Sequence, residues 1–401
     1  METSPLQVAA RPARAAMSRK AVLLFAASCG LAVASIYYAQ PLLDALSAEF
    51  GMDHSVIGIV ITVTQTCYAL GLLLLVPLGD LLNPRRLIIG HMLLSVLALA
   101  VGLAPATVVL LSGMVAVGLL AVVTQTLVAY ASTLAAPSVR GRVVGLVTSG
   151  IVIGILLART FAGIWTDLAG WRSVYLVSGG FMLLAAGMLY RVMPSMERKR
   201  AALSYPQLLR SVLLLFVEER ILRIRGILAL LVFTAFSILW SSLVLPLSAP
   251  PQSLSHTAIG AFGLAGVAGA LATARAGRLA DQGKGQRTTG TALALLLLSW
   301  SPIRYADTSL LTLTAGIILL DLAVQAVHVT NQSLIFNVRP EARSRLIGAY
   351  MMFYSIGGAL GSIASTRMYA SYGWSGVCLL GASVSALALL FWAATRRMTA
   401  V

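Results

Sequence analysis

The chain has 401 residues, of which 59% are hydrophobic and only 10% charged, and it carries a net charge of +16. A soluble domain has about 25% charged residues, so a water-soluble enzyme is excluded, and continuous rather than alternating apolar runs exclude a β-barrel. The basic residues sit in short clusters between apolar runs, which marks membrane topology and not a nucleic-acid surface.

Residues 1–20 carry Arg11, Arg14, Arg19 and Lys20 against Glu2 and read as a cytoplasmic tail, although an organellar transit peptide has a similar composition. A membrane helix needs about 20 apolar residues. Runs bounded by Pro, Gly and charge predict twelve spans, near 21–40, 56–78, 87–103, 107–135, 143–165, 173–193, 227–247, 257–276, 287–303, 309–336, 344–369 and 375–395. The fold class expected is therefore an all-α polytopic membrane protein. Between the sixth and seventh spans, 194–226 is long and basic, as expected of a cytoplasmic linker on anionic headgroups. It separates six-span bundles at 21–193 and 227–395, and 396–401 forms a second cytoplasmic tail. Cys29, Cys67 and Cys378 lie inside apolar runs and imply no disulfide framework.

With a cytoplasmic N-terminus, every basic residue except Arg159, Arg172, Arg304 and Arg367 falls on the cytoplasmic side. Asp44, Glu49, Asp53, Asp167 and Asp307 fall on the other. The positive-inside bias thus places both termini in the cytoplasm.

The two halves repeat. A shift of about 203 residues lays Pro137-Ser138-Val139-Arg140-Gly141-Arg142-Val143-Val144-Gly145 on Pro340-Glu341-Ala342-Arg343-Ser344-Arg345-Leu346-Ile347-Gly348. The same shift lays Gly154 on Gly357 and Gly170-Trp171 on Gly373-Trp374. Two parallel six-helix halves related by an axis along the membrane normal are a known transporter architecture.

Few residues inside the spans could carry chemistry. Asp321 lies near the middle of span 10, with Gln325, His328 and Gln332 at i+4, i+7 and i+11, so the four share one helical stripe, with Asn331 beside it. Such a stripe faces a central cavity or another helix, since it cannot face lipid. Asp321 is a candidate proton carrier or, on the structural alternative, a member of an ion pair or interhelical hydrogen bond. His328 suits proton relay or helix packing. Arg159 in span 5 lies at a similar depth to Asp321, about 22–24 Å from the cytoplasmic side at 1.5 Å per residue. It could pair with Asp321, bind an anionic substrate group, or snorkel to the interface. Gln125 in span 4 falls opposite His328 under the repeat, and Tyr37 and Trp240 are further candidate lining residues.

Several motifs resemble the major facilitator superfamily. They are Pro77-Leu78-Gly79-Asp80-Leu81-Leu82-Asn83-Pro84-Arg85-Arg86 between spans 2 and 3, its echo Gly277-Arg278-Leu279-Ala280-Asp281-Gln282-Gly283-Lys284-Gly285, Tyr37-Tyr38-Ala39-Gln40-Pro41, and Gly170-Trp171-Arg172. The chain is most similar to bacterial drug:proton antiporter-like members with twelve spans. Two departures stand out: with Gly118 as the span-4 pattern's glycine, Met114 occupies its arginine position, and span 5 lacks the Gly-Pro pair.

The resemblance implies two pseudo-symmetric six-helix bundles and a cavity lined by spans 1, 4, 7 and 10, which favours Tyr37, Gln125, Trp240, Asp321 and His328. It implies loop gates at Asp80 with Arg85 and Arg86, and at Asp281 with Lys284 and Arg287. It also implies a functional monomer in the bacterial inner membrane, with protons and a small-molecule substrate as partners and no cofactor or metal. Proton-coupled efflux of small organic molecules by alternating access is the leading expectation. Uptake of a polar metabolite, such as a sugar or amino acid, by a facilitator or symporter stands as the alternative. A membrane enzyme or sensor is disfavoured, because no H-E-x-x-H, Cys/His cluster, nucleotide loop or soluble output domain is present.

Overall fold

The computed structural model describes residues 18–136, 139–194, 204–266, 276, 279–336 and 343–399. Most of the N-terminal tail, the start of the linker and parts of the repeated loops (Pro137-Ser138, Gly277-Arg278 and Pro340 to Ala342) lie outside the described residues.

Helix starts follow local chemistry. Ser18 caps α1 (Arg19–Ala34) by accepting from the Ala21 N–H, and a 3-10 turn at Gln40–Leu42 leads into α2 (Leu43–Phe50). α3 (Ile59–Leu74) and a short α4 (Leu78–Leu81) follow. In the loop motif, Asn83 accepts from the Arg85 and Arg86 N–H groups, and Pro84 opens α5 (Pro84–Leu99), where its missing donor costs nothing. α6 (Thr107–Leu120) and α7 (Val123–Leu134) together form the fourth span, and α8 (Arg140–Ala169) and α9 (Trp171–Val192) complete the first half. The linker contains α10 (Tyr205–Glu218). The second half comprises α11 (Arg220–Ser242), α12 (Val244–Ser248), α13 (His256–Ala261), α14 (Gly285–Ile303), α15 (Leu310–Phe336) and α16 (Arg343–Thr395).

Among the described residues, seven helices are long and apolar enough to cross a membrane. Three of the five spans missing from this count have identifiable causes. α16 carries the last two spans as one assigned helix, although Gly373 breaks it at φ 61°. α1 and α3 have only 16 helical residues each. Gly170, the repeat partner of Gly373, turns the chain between α8 and α9 at φ 77°. Both Gly-Trp motifs therefore mark a left-handed turn that a Cβ would strain.

The repeat also governs packing. Gly150 and Gly154 bring α8 against the α1 backbone at Ala26 and Gly30, while Gly357 and Gly361 bring α16 against α11 at Leu230 and Thr234. Small residues let membrane helices approach closely, since no hydrophobic drive separates helix contact from lipid contact. Each half is thus built on the same glycine-lined helix pair.

Between the halves, hydrogen bonds among the described residues gather along one stretch of the seam. Thr62 donates to the Ala359 carbonyl at 2.9 Å, Ser362 to the Gly58 carbonyl at 3.0 Å, and Thr160 to the Gly260 carbonyl at 3.0 Å. Gly145 of α8 and Gly348 of α16, nearer the starts of those helices, have open space beside them. The halves are therefore sealed toward the end that holds Asp44, Asp167 and His256.

Candidate functional site

The seam buries an arginine, an indole and a carboxylate in sequence. Arg159 projects from α8 and is only 2% exposed. Its Nε donates to Gln40 Oε1 at 2.9 Å, on the 3-10 turn that follows α1. Its guanidinium carbon lies 3.8 Å from the ring centre of Trp240, 5.3 Å from that of Phe236 and 5.7 Å from that of Tyr37. The Trp240 indole N–H donates to Asp321 Oδ1 at 3.2 Å. Trp240 comes from α11 and Asp321 from α15, so the chain of contacts runs from one half into the other. Gly266 makes room for the carboxylate, because a Cβ there would stand 2.9 Å from Asp321 Oδ2.

Arg159 and Asp321 do not form a direct ion pair; the three ion pairs among the described residues lie elsewhere. Both side chains instead contact the same indole, the guanidinium on its face and the carboxylate at its N–H. A desolvated cation on an aromatic face gains about 2 kcal/mol, less than the several kcal/mol needed to strip water from an ion. Arg159 Nη2 is buried without a hydrogen-bond partner. The site holds two charges that are each only partly satisfied, an arrangement open to a proton or a ligand.

Four expected residues thus converge: Tyr37, Arg159, Trp240 and Asp321. The others spread out from them. Tyr37 is within hydrogen-bonding reach of Gln65 and Tyr354, and Gln125 of Tyr68. His328 Nδ1 lies 3.1 Å from the Tyr350 hydroxyl, and the ring lines a small pocket with Val232, Phe233, Tyr350 and Tyr354. Gln325 and Gln332 share the α15 stripe and are half-buried.

Asn331, expected on the pathway, is occupied within its own half. It accepts from Arg225 Nη1 at 3.3 Å, and its amide faces the Arg225 carbonyl at 3.4 Å. Arg225, expected in the linker, is instead fully buried in α11, where it also donates to Thr289 Oγ1 at 3.4 Å. Of the expected gating residues, Arg85 stacks 4.4 Å from the Tyr190 ring and donates to the Tyr190 carbonyl. Arg86, Lys284 and Arg287 are exposed. The side chains of Asp80 and Asp281 lie outside the described residues.

Sequence reasoning missed Gln40 and Phe236, which complete the cage around Arg159. Gln40 stood in a quoted motif, and a buried amide at the end of an apolar run was the available signal. It also missed a cluster at the sealed end, where His256 Nε2 lies 3.1 Å from Asp44 Oδ1 and Nδ1 lies 3.3 Å from Asp167 Oδ1.

With this geometry established, known proteins supply a family. The Major Facilitator Superfamily profile matches residues 23–301 and 227–400. The chain belongs to that superfamily. It is 47% identical to an uncharacterized Escherichia coli transporter, YgaY, over 94% of this chain and 95% of that one. It is 31% identical to "Probable transporter SCO4007" of Streptomyces coelicolor, over 95% of this chain and 88% of that one. The fold is also that of a bacterial homologue of the human lysosomal transporter Spinster, in an inward-facing and occupied conformation. That match has a TM-score of 0.77 at 14% identity and covers 94% of this chain and 96% of the other. The protein is therefore a membrane-embedded transporter of the superfamily, built as two helical bundles.

Proposed function

We propose that this transporter exports small organic molecules across the bacterial inner membrane by alternating access, driven by proton entry. On this reading both termini are cytoplasmic and a single chain is the working unit. The observation that carries it is Asp321, a carboxylate enclosed at the seam whose hydrogen bond comes from a neutral indole and whose cation lies on the face of that same indole.

The chemistry of exchange follows from that position. Ionised Asp321 attracts Arg159 through the ring and helps tie the halves together; a proton on Asp321 removes that attraction. A substrate donor that displaces the Trp240 N–H competes with the proton for the same carboxylate, and such mutual exclusion is what antiport requires. The aromatic faces of Tyr37, Phe236 and Trp240 offer an apolar bed for the rest of the molecule. Gln125, Gln325, His328 and Gln332 continue the polar path, and the loops at Asp80 and Asp281, with Arg85, Arg86, Lys284 and Arg287, close the cytoplasmic mouth.

The test is growth of an efflux-deficient bacterial host on a panel of toxic compounds, metabolites and sugars. The host expresses wild type or Asp321→Asn at matched membrane levels. Resistance that disappears with the Asn variant supports export coupled at Asp321. Resistance that persists assigns Asp321 to architecture, and no resistance with either protein favours uptake.

A further inference from the structure

Three ionisable side chains that the transport site does not use meet where the halves are sealed. Asp44 lies in the first turn of α2 and Asp167 near the end of α8, both in the first half, while His256 opens α13 in the second. The imidazole reaches both carboxylates, Nε2 at 3.1 Å from Asp44 Oδ1 and Nδ1 at 3.3 Å from Asp167 Oδ1. Asp167 also accepts the backbone N–H of His256 at 3.1 Å and of Thr257 at 2.7 Å. A neutral imidazole has one N–H and one lone pair, so it can donate to only one of the two carboxylates and must turn its lone pair toward the other. Only the imidazolium donates to both.

We propose that His256 is a second proton-binding site, a latch whose protonation ties Asp44 and Asp167 to α13 and holds this mouth of the transporter shut. Apart from the backbone N–H bonds of His256 and Thr257 to Asp167, described hydrogen bonds between the halves near this mouth involve only neutral groups, such as Thr160 to Gly260. The protonated imidazole therefore supplies the cation at this part of the seam, and with it dependence on pH. Its groups are 20–29% exposed, which leaves the imidazole in reach of protons from the adjoining water.

The direction of that dependence is set by the neighbours. Asp44 from α2 and Asp167 from α8 are the titratable groups facing the ring. The Gln40–Leu42 turn, α12 and the turn at Phe262–Ala265, which also pack on α13, carry none. The hydrogen bond that the imidazolium donates to Asp44, and then the two carboxylate charges, raise the His256 pKa above its ordinary value against the opposing effect of burial. Burial pushes the Asp167 pKa up, but hydrogen bonds from Thr257, His256 and Ser255 together hold it below the usual carboxylate range. A raised histidine pKa in the closed state means that the latch is fully made below the open-state value of about 6.5 and is lost as pH rises through the closed-state value. The lowered Asp167 pKa keeps its carboxylate ionised through the weakly acidic range, so the closing contribution persists there and fades under alkaline conditions.

For the transport cycle, a proton arriving at this mouth would close it behind the entering charge. That consequence rests on the proposed proton-driven export and outward placement of this end; the latch itself does not.

The experiment needs neither substrate nor gradient. Spin labels are placed on genetically encoded side chains at the exposed positions Ala48, beside the end of α2, and Thr308, in the second half. Distances are then measured in full-length protein in lipid nanodiscs from pH 5.5 to 8.5. In wild type the closed-to-open ratio should fall severalfold over that range, in the direction that a raised histidine pKa requires. His256→Gln should remove the pH dependence, and Asp44→Asn should move its midpoint to lower pH. A wild-type ratio that does not change with pH, or a His256→Gln profile that follows wild type, overturns the latch. Both variants must elute as monodisperse protein, and Asp44→Asn decides the matter if His256→Gln does not. Failure here leaves the Asp321 reading intact, because the growth panel tests that separately.

Discussion

Replacing Gly163 by alanine should loosen the sealed mouth. A Cβ built on Gly163 would lie 2.7 Å from the His256 carbonyl carbon and 3.0 Å from the Thr257 nitrogen, with the His256 carbonyl oxygen closer still. Carbon contacts are comfortable at about 3.5–4.0 Å, so α8 and α13 must separate by about 1 Å to admit the methyl group. Neither obstacle is the end of a flexible side chain; both are backbone. Overpacking of this kind costs about 1–3 kcal/mol, which corresponds to about 5–150-fold in the ratio of closed to open seam. Gly145→Ala is the internal control: it lies on the same helix, with nothing within 4 Å of its Cβ position. Hydrogen–deuterium exchange of the 256–262 amides, followed in nanodiscs, should accelerate for Gly163→Ala and stay at the wild-type rate for Gly145→Ala. Equal exchange in Gly163→Ala and wild type would refute the close approach, as would equal acceleration in the two variants.

Two further substitutions probe the interior. Arg159→Lys keeps the charge but loses the planar stack on Trp240 and the Nε–H bond to Gln40, so transport at matched protein levels should drop about 5–30-fold for a loss of about 1–2 kcal/mol. A lysine variant with full activity would mean that only the charge matters. Tyr38→Phe removes a buried hydroxyl that lies 3.0 Å from Ser178 Oγ, which should cost about 1–3 kcal/mol and lower the thermal unfolding temperature, while an unchanged temperature would show that Ser178 finds another partner.

The sequence reveals the architecture far better than it reveals the site. Apolar run lengths report on bilayer thickness, so an all-helical membrane protein of two bundles is readable from the sequence, while the helix ends are not. The repeat is readable for a physical reason as well. Gly170 and Gly373 both need a positive φ, and Gly154 and Gly357 both need a bare Cα, so the same constraints recur in each half. Helical spacing shows that Asp321, Gln325, His328 and Gln332 share a face, but spacing along one helix does not name the partner across from it. Trp240 between Arg159 and Asp321 depends on how α8, α11 and α15 meet, and so does Gln40. The His256 cluster draws Asp44, Asp167 and His256 from distant loops and helix ends, where each residue alone reads as an ordinary surface charge. Arg225 looked like part of a basic linker because helix α11 starts before the apolar run does; only packing on Asn331 and Thr289 shows that it is internal.

The central claim, that Asp321 carries the proton that drives export, is tested most directly in everted membrane vesicles loaded with a pH-sensitive acridine dye. Compounds to which the wild-type protein confers resistance are added to vesicles that have established a proton gradient. The account predicts dye dequenching, as protons leave in exchange for the compound, with wild type and none with Asp321→Asn at the same expression level. Dequenching that survives in Asp321→Asn, or its absence in wild-type vesicles that do accumulate the compound, would contradict it.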